Sequence, residues 1–297
     1  MLEAFVEHAL GMIDVDALKP MKIVVDAGNG MAGKLVPPVF ERIPGELIPL
    51  YFELDGTFPN HDANPLEPEN IITLQKTVVE KGADLGVAFD GDADRMFLID
   101  EHGTFVGGDM VTAMVSQVML GKHPGSAIVY NLICSRSVRE TIEENGGVPI
   151  RSRVGHSFIK GLMREHDAIF GGEHSGHFYF RDNWYADSGL IAFLTVLELL
   201  STEGKSLSET LAPIDPRTRS GEINFEVEDQ AAALDRVRKR FADAEIDEMD
   251  GLTVGYDDWW FNIRASNTQP LLRLNVEVDD ERHLEERVRA VSEVIRK

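Results

Sequence analysis

The chain has 297 residues, 51 acidic against 29 basic, and a formal net charge of −22. That surplus excludes nucleic acid and anionic membranes as partners, and any anionic ligand must be met by a local cationic pocket. Hydrophobic content of 43% is ordinary for a soluble globular chain, and at roughly 100–200 residues per domain the length corresponds to two or three domains.

A single cysteine, Cys134, excludes an intrachain disulfide and a cysteine-rich zinc site, and fits a reducing cytosol. Its expected role is that of a small buried hydrophobe. The first ten residues carry acidic charge at helical spacing, without a basic stretch and apolar core, so a cytoplasmic location is expected. The most apolar run, Leu190 to Leu200, contains Glu198 and is too short to span a bilayer.

After the opening helix, Met21 to Ala27 reads as a buried strand running into Gly28-Asn29-Gly30-Met31-Ala32-Gly33 and then a helix toward Arg42. This matches G-x-G-x-x-G, and Glu53 and Asp55 close the next strand about twenty residues on, as an NAD(P) site requires. A tight strand-to-helix turn in any α/β unit explains the same glycines. Asp55 to Asn70 is too rich in Pro, Asn and Gly for regular structure and reads as a long loop before a helix over 71–81.

The centre of the chain is Asp90-Gly91-Asp92-Ala93-Asp94-Arg95, with strand patterns on both sides at 83–89 and 96–100. Three carboxylates at alternate positions raise one another's pKa unless a cation sits among them, and hard oxygen ligands suit Mg²⁺ or Ca²⁺. An EF-hand reading puts Asp90, Asp92 and Asp94 at its first, third and fifth positions. It fails at the sixth, where Arg95 replaces the required Gly, and strands stand where helices should. Mg²⁺ sharing a phosphate oxygen fits better than a solvated Asx turn, with Arg95 as a second phosphate clamp.

Gly107-Gly108-Asp109 marks a boundary, and a helix follows over 110–120. A second α/β unit then runs through strand 127–131, helix 137–144, strand 148–153, helix 157–165 and strand 168–171. The last segment differs: strand 222–227, helix 230–242, a strand pair at 259–265 and 271–278, and a charged final helix describe a small α+β domain, with 212–216 as linker. The fold class is therefore α/β, two successive mixed-sheet domains at 1–106 and 107–214, followed by a small α+β domain at 215–297.

Two further constellations carry chemistry. Gly171-Gly172-Glu173-His174-Ser175-Gly176-His177 lets backbone approach a ligand, with Glu173 and Ser175 suited to sugar hydroxyls; a glycine-rich hairpin turn explains it equally well. A zinc reading of His174 and His177 is weaker, and His156 stands alone on its element. Arg264-Ala265-Ser266-Asn267-Thr268-Gln269-Pro270 interrupts two strands as an anion cradle, although turn chemistry accounts for Ser, Asn and Thr.

In this order the motifs, with Phe58-Pro59-Asn60-His61 between the first two, resemble the α-D-phosphohexomutase superfamily. Within it they are most similar to bacterial phosphomannomutase/phosphoglucomutase, whose last motif runs through Ser-Asn-Thr where phosphoglucosamine mutases carry Ser-Gly-Thr. The resemblance implies interconversion of hexose 1- and 6-phosphates through a bound glucose or mannose 1,6-bisphosphate, which is also an activator. It implies Asp90, Asp92 and Asp94 on Mg²⁺, and Arg95 on phosphoryl or sugar oxygens. Glu173 and Ser175 hold sugar hydroxyls, and Arg264, Ser266, Asn267 and Thr268 grip the phosphate that is not reacting. His156 and His177 serve phosphate contact or proton transfer, and the glycine turn carries no nucleotide. Gln269 stands where the family has Glu. The family's phosphoserine loop, Thr-Ala-Ser-His-Asn-Pro-like, has no counterpart here, and Ser135 and Ser137 lack its surroundings. The expectation is domains two to four of a mutase, inactive alone. A non-catalytic Mg²⁺ and phosphosugar-binding module and an NAD(P)-linked oxidoreductase are the alternatives, and oligomeric state is unread.

Overall fold

The computed structural model describes residues 2–266 and 270–297. Residues 1–151 with 155–215 form one compact unit, and 152–154 with 216–297 form another.

In the first unit, α1 (Leu2–Gly11) precedes β1 (Lys22–Asp26), the short helices α2 (Ala32–Leu35) and α3 (Pro37–Phe40), and β2 (Glu46–Leu50). The expected single helix after Gly33 is two because Pro37 and Pro38 lack N–H groups, and a helix tolerates them only in its first turn. The same tolerance moves the start of α4 (Pro68–Lys81) upstream of the expected Ile71; Gly82, left-handed at φ 55°, ends it. The strands β3 (Leu85–Phe89), β4 (Met96–Ile99) and β5 (Phe105–Val106) complete a sheet of order β2-β1-β3-β4-β5. β1 is parallel to both neighbours, whereas β3, β4 and β5 run antiparallel, so the sheet is mixed.

The chain continues with α5 (Gly108–Lys122), β6 (Ala127–Asn131), α6 (Arg136–Glu144), β7 (Val148–Ser152), α7 (His156–Glu165), β8 (Phe170–Gly172), β9 (Phe178–Phe180), β10 (Ala186–Asp187), α8 (Gly189–Glu203) and α9 (Leu207–Leu211). The second sheet, in order β10-β9-β8-β6-β7, is also mixed, with β6 and β8 parallel and β8, β9 and β10 antiparallel. α5 and α8 are buried on almost every side, which is why both are apolar all round. The Leu190–Leu200 run is the body of α8, and among the described residues no helix is long and apolar enough to cross a membrane. One apolar core runs from Val6 to Ile214, so the two sheets share it.

The second unit is an antiparallel sheet in order β11-β15-β14-β13-β12, built from β11 (Thr218–Glu226), β12 (Glu245–Asp247), β13 (Leu252–Gly255), β14 (Trp259–Ala265) and β15 (Leu271–Val278). The helices α10 (Gln230–Arg240) and α11 (Leu284–Ile295) add Val237 and Val291 to a core with Phe241, Trp259 and Phe261. The short strands β12 and β13 carry too few residues to show an alternating pattern in the sequence. The order of classes is as read: two mixed α/β sheets, then a small α+β unit.

Candidate functional site

β3 and β4 pair as a hairpin whose connecting loop is Asp90 to Arg95, with Phe89 opposite Met96. Both strands are fully apolar and buried, so the loop's polar residues gather at their shared end. Ala93 adopts a left-handed φ of 65° and closes the turn. Asp90 is buried and accepts from Arg95 twice, from the guanidinium Nε at 2.8 Å and the backbone N–H at 3.2 Å.

The loop is braced from outside. Met31 donates its N–H to the Gly91 carbonyl at 2.9 Å, so the glycine turn after β1 packs on the aspartate loop. A Cβ on Gly30 would meet Gly91 backbone, leaving no open cradle at that glycine. The long loop after β2 clamps the same turn: Asn60 donates to Asn29 Oδ1 at 2.7 Å, and His61 Nε2 lies 3.1 Å from Asp26 Oδ2. That hydrogen bond with Asp26 raises the His61 pKa above its usual value.

Potential ligand atoms of Asp90, Asp92 and Asp94 lie within 4.8 Å of one another. Burial, then the Asp90 and Asp92 charges, pushes Asp94 up to about 7. Its Oδ1 is buried without a hydrogen-bond partner, although His177 Nε2 stands 3.6 Å away. One arginine facing three carboxylates leaves negative charge for a cation to balance. Hard oxygens, close spacing and an orphaned carboxylate oxygen fit Mg²⁺.

An isolated antiparallel bridge joins Arg95 to His177, carrying the aspartate loop onto the glycine hairpin between β8 and β9. Met96 donates to the Gly176 carbonyl at 3.2 Å. Gly108 opens α5 against this turn, where a Cβ would stand 2.7 Å from the Glu173 carbonyl oxygen. Ser175 Oγ and His177 Nδ1 are 3.0 Å apart, and burial, reinforced by His156, lowers His177 to about 4. Glu173 is only 2% exposed; Tyr179 donates to its Oε1 at 2.6 Å and Asn131 to its Oε2 at 3.3 Å. His156, at the first turn of α7, lies ring to ring with His177 at 4.3 Å. One unit thus brings Asp90, Asp92, Asp94, Arg95, His156, Glu173, Ser175 and His177 together.

Several neighbours escaped the sequence reading. Tyr179 follows His177 by two, and period-two alternation on a strand puts both on one face, a signal hidden in the aromatic run. Asp187 lies 3.5 Å from His156 and 3.1 Å from Lys160, through a β10 pairing that no local motif marks. Ser135 is buried and caps α6 by accepting from Ser137, and the Cys134 thiol is fully buried, which pushes its pKa up.

Arg264 belongs to the other unit, at the end of β14. It is buried and pairs with Glu222 Oε2 at 3.2 Å, while Arg273 takes Oε1 at 3.2 Å. Ser266 donates its backbone N–H to Leu271 at 2.8 Å. Asn267, Thr268 and Gln269 lie outside the described residues.

Both sheets and the terminal unit follow the fold of the α-D-phosphohexomutases. The crystal structure of a phosphoglucomutase/phosphomannomutase family protein from Burkholderia thailandensis superposes with a TM-score of 0.87 at 33% identity, covering 99% of this chain and 64% of that one. Models of the phosphoglucomutase/phosphomannomutase alpha/beta/alpha domains II and III match residues 3–103 and 107–216, and the C-terminal domain model matches 222–294. The chain belongs to the phosphoglucomutase/phosphomannomutase family. It is 43% identical over 297 residues to phosphohexose mutases of Xanthomonas campestris pv. campestris, covering 99% of this chain and 66% of that protein. It is 44% identical over 283 residues to a phosphomannomutase of Salmonella montevideo, covering 93% and 62% respectively. The chain spans just under two thirds of these relatives' length.

Proposed function

We propose that this chain is the cation- and sugar-phosphate-binding part of a phosphohexomutase that interconverts hexose 1- and 6-phosphates, of mannose, glucose or both, through a bound 1,6-bisphosphate. The observation that carries the reading is the Arg95–His177 bridge, which makes one wall of the aspartate loop and the glycine hairpin. Mg²⁺ held by Asp90, Asp92 and Asp94 supplies charge neutralisation for a transferring phosphoryl group. Arg95, already oriented by Asp90, receives phosphoryl or sugar oxygens. Glu173 and Ser175 hold sugar hydroxyls, and His156 and His177 contact phosphate or move a proton at a hexose hydroxyl. A pKa lowered to about 4 keeps His177 a neutral hydrogen-bonding ring at neutral pH. Arg264, Ser266, Asn267 and Thr268 grip the second phosphate.

The 297 residues contain no phosphoserine loop of the family kind, so the chain alone binds phosphosugar without turning it over. Calorimetry with glucose 1-phosphate and glucose 1,6-bisphosphate at saturating Mg²⁺ tests binding, and ³¹P NMR of mannose 1-phosphate tests turnover. Binding without interconversion is expected. Rapid interconversion by the pure chain removes the carrier argument, and absence of binding removes the site. A non-catalytic module gives the same first result; it parts from this reading if a relative's phosphoserine domain, added in trans, restores no turnover. Close packing of Gly30 on Gly91 weighs against NAD(P).

A further inference from the structure

Beneath the glycine hairpin a buried polar chain runs from a backbone amide to the His156 ring, and its first donor sets the role of every later group. The His174 N–H can only donate, and it lies 3.4 Å from Asn131 Oδ1. The Cys134 thiol donates to the same oxygen at 3.0 Å. Asn131 therefore turns its Nδ2 toward Glu173 and donates to Oε2 at 3.3 Å. The other carboxylate oxygen accepts from the Tyr179 hydroxyl at 2.6 Å, a length typical of an O–H bond onto an ionised oxygen. Tyrosine has one proton to give. With that proton directed to Glu173, Tyr179 Oη meets His156 Nδ1, at 2.9 Å, as the acceptor. Burial and the Glu173 charge raise the Tyr179 pKa far above its usual value, which keeps the proton on its oxygen.

We infer that Tyr179 is a positioning residue that fixes His156 as its Nδ1–H tautomer, leaving Nε2 as the lone-pair acceptor offered to the phosphorylated sugar. Asp187 Oδ2, 3.5 Å from the same Nδ1, acts in the same direction, because a carboxylate beside a bare ring nitrogen would oppose two lone pairs. Lys160 holds Asp187 there through Oδ1 at 3.1 Å. His156, His177 and Asp187 have potential ligand atoms within 4.8 Å of one another, but Asp187 and one nitrogen of His156 are already engaged in this network. The tautomer decides the chemistry: a bare Nε2 accepts a proton or a hydroxyl hydrogen bond, whereas Nε2–H could only donate to phosphate oxygen. The inference rests on the proposed function for what Nε2 faces, while the tautomer itself does not.

The test is ¹⁵N NMR of the histidine-labelled 297-residue chain, with His156 assigned by His156→Gln, at a pH where the ring is neutral. The expected spectrum has a protonated-type Nδ1 and an unprotonated-type Nε2. Glu173→Gln keeps the shape but turns an amide N–H onto Tyr179, which must then donate to Nδ1, so the two signals exchange character. Tyr179→Phe removes the acceptor, and the Nε2–H form rises; this second variant serves if the first does not fold. A wild-type ring with bare Nδ1, or a tautomer moved by neither variant, overturns the assignment. If the tautomer is as stated but glucose 1-phosphate with Mg²⁺ leaves the His156 signals unmoved, the hydrogen-bond assignment stands and the sugar-phosphate reading fails.

Discussion

Gly30 and Gly91 lie back to back, so close that a Cβ on Gly30 would stand 2.5 Å from the Gly91 carbonyl oxygen. The glycine turn after β1 is thus the outer support of the loop that carries Asp90, Asp92 and Asp94. Gly30→Ala must push backbone against backbone, which costs about 1–3 kcal/mol as overpacking. Thermal melts should show the loss, and calorimetry should show weaker Mg²⁺ binding by the same variant. A melt and an affinity both equal to wild type would mean that the turn does not support the loop.

Asp94 competes with a proton for any cation it binds. Its carboxyl, pushed up to about 7 chiefly by burial and then by Asp90 and Asp92, must ionise to serve as a ligand. Mg²⁺ affinity should therefore rise from about pH 6 to about pH 8, and Asp94→Asn should weaken it and flatten the slope. Metal-free stability runs the other way. A carboxylate whose folded pKa lies above its unfolded value stabilises the fold when protonated and loses that contribution as pH rises toward 7. At about pH 8 the metal-free Asn variant should melt higher than wild type. A lower melting temperature would contradict the burial argument.

His61 has the same sign as metal-free Asp94, because its folded pKa is also raised. Its pKa is raised above 6.5, first by the hydrogen bond with Asp26, so its ion pair contributes fully below 6.5 and is lost as pH climbs through the raised value. His61→Ala should lower the melting temperature more at about pH 6 than at about pH 9. Equal losses at both would show that the ring acts by packing alone.

Arg264 is buried and shares Glu222 with Arg273. If it grips a phosphate, Arg264→Ala removes a charge-assisted contact and should weaken glucose 1-phosphate by about 1.5–3 kcal/mol in calorimetry. An unchanged affinity, with the fold intact by circular dichroism, takes Arg264 out of the site.

The aspartate loop was legible because its residues are consecutive and short, fully apolar runs of strand length flank it. The glycine hairpin was legible for the same reason. Less visible was the start of α4, since Pro68 looks like a breaker until it is seen in a first turn, where its missing N–H has no helical partner to lose. The break of the 32–42 segment at Pro37 is the same physics with the opposite outcome. Asp187 was invisible: its meeting with His156 depends on β10 folding back on β9.

Local chemistry thus belongs to the sequence: which residues are carboxylates at alternate positions, where glycine permits a tight turn, and which runs are apolar enough to be strands and core helices. The partners of those groups belong to long-range packing, because a contact between residues distant in the chain leaves no trace in either neighbourhood. The local pattern of G-x-G-x-x-G leaves a nucleotide cradle and a tight packed turn both open, and only the fold puts Gly91 backbone in the space beside Gly30. Nothing in its own stretch of sequence marks the partners of Tyr179, whose hydroxyl lies between Glu173 and His156.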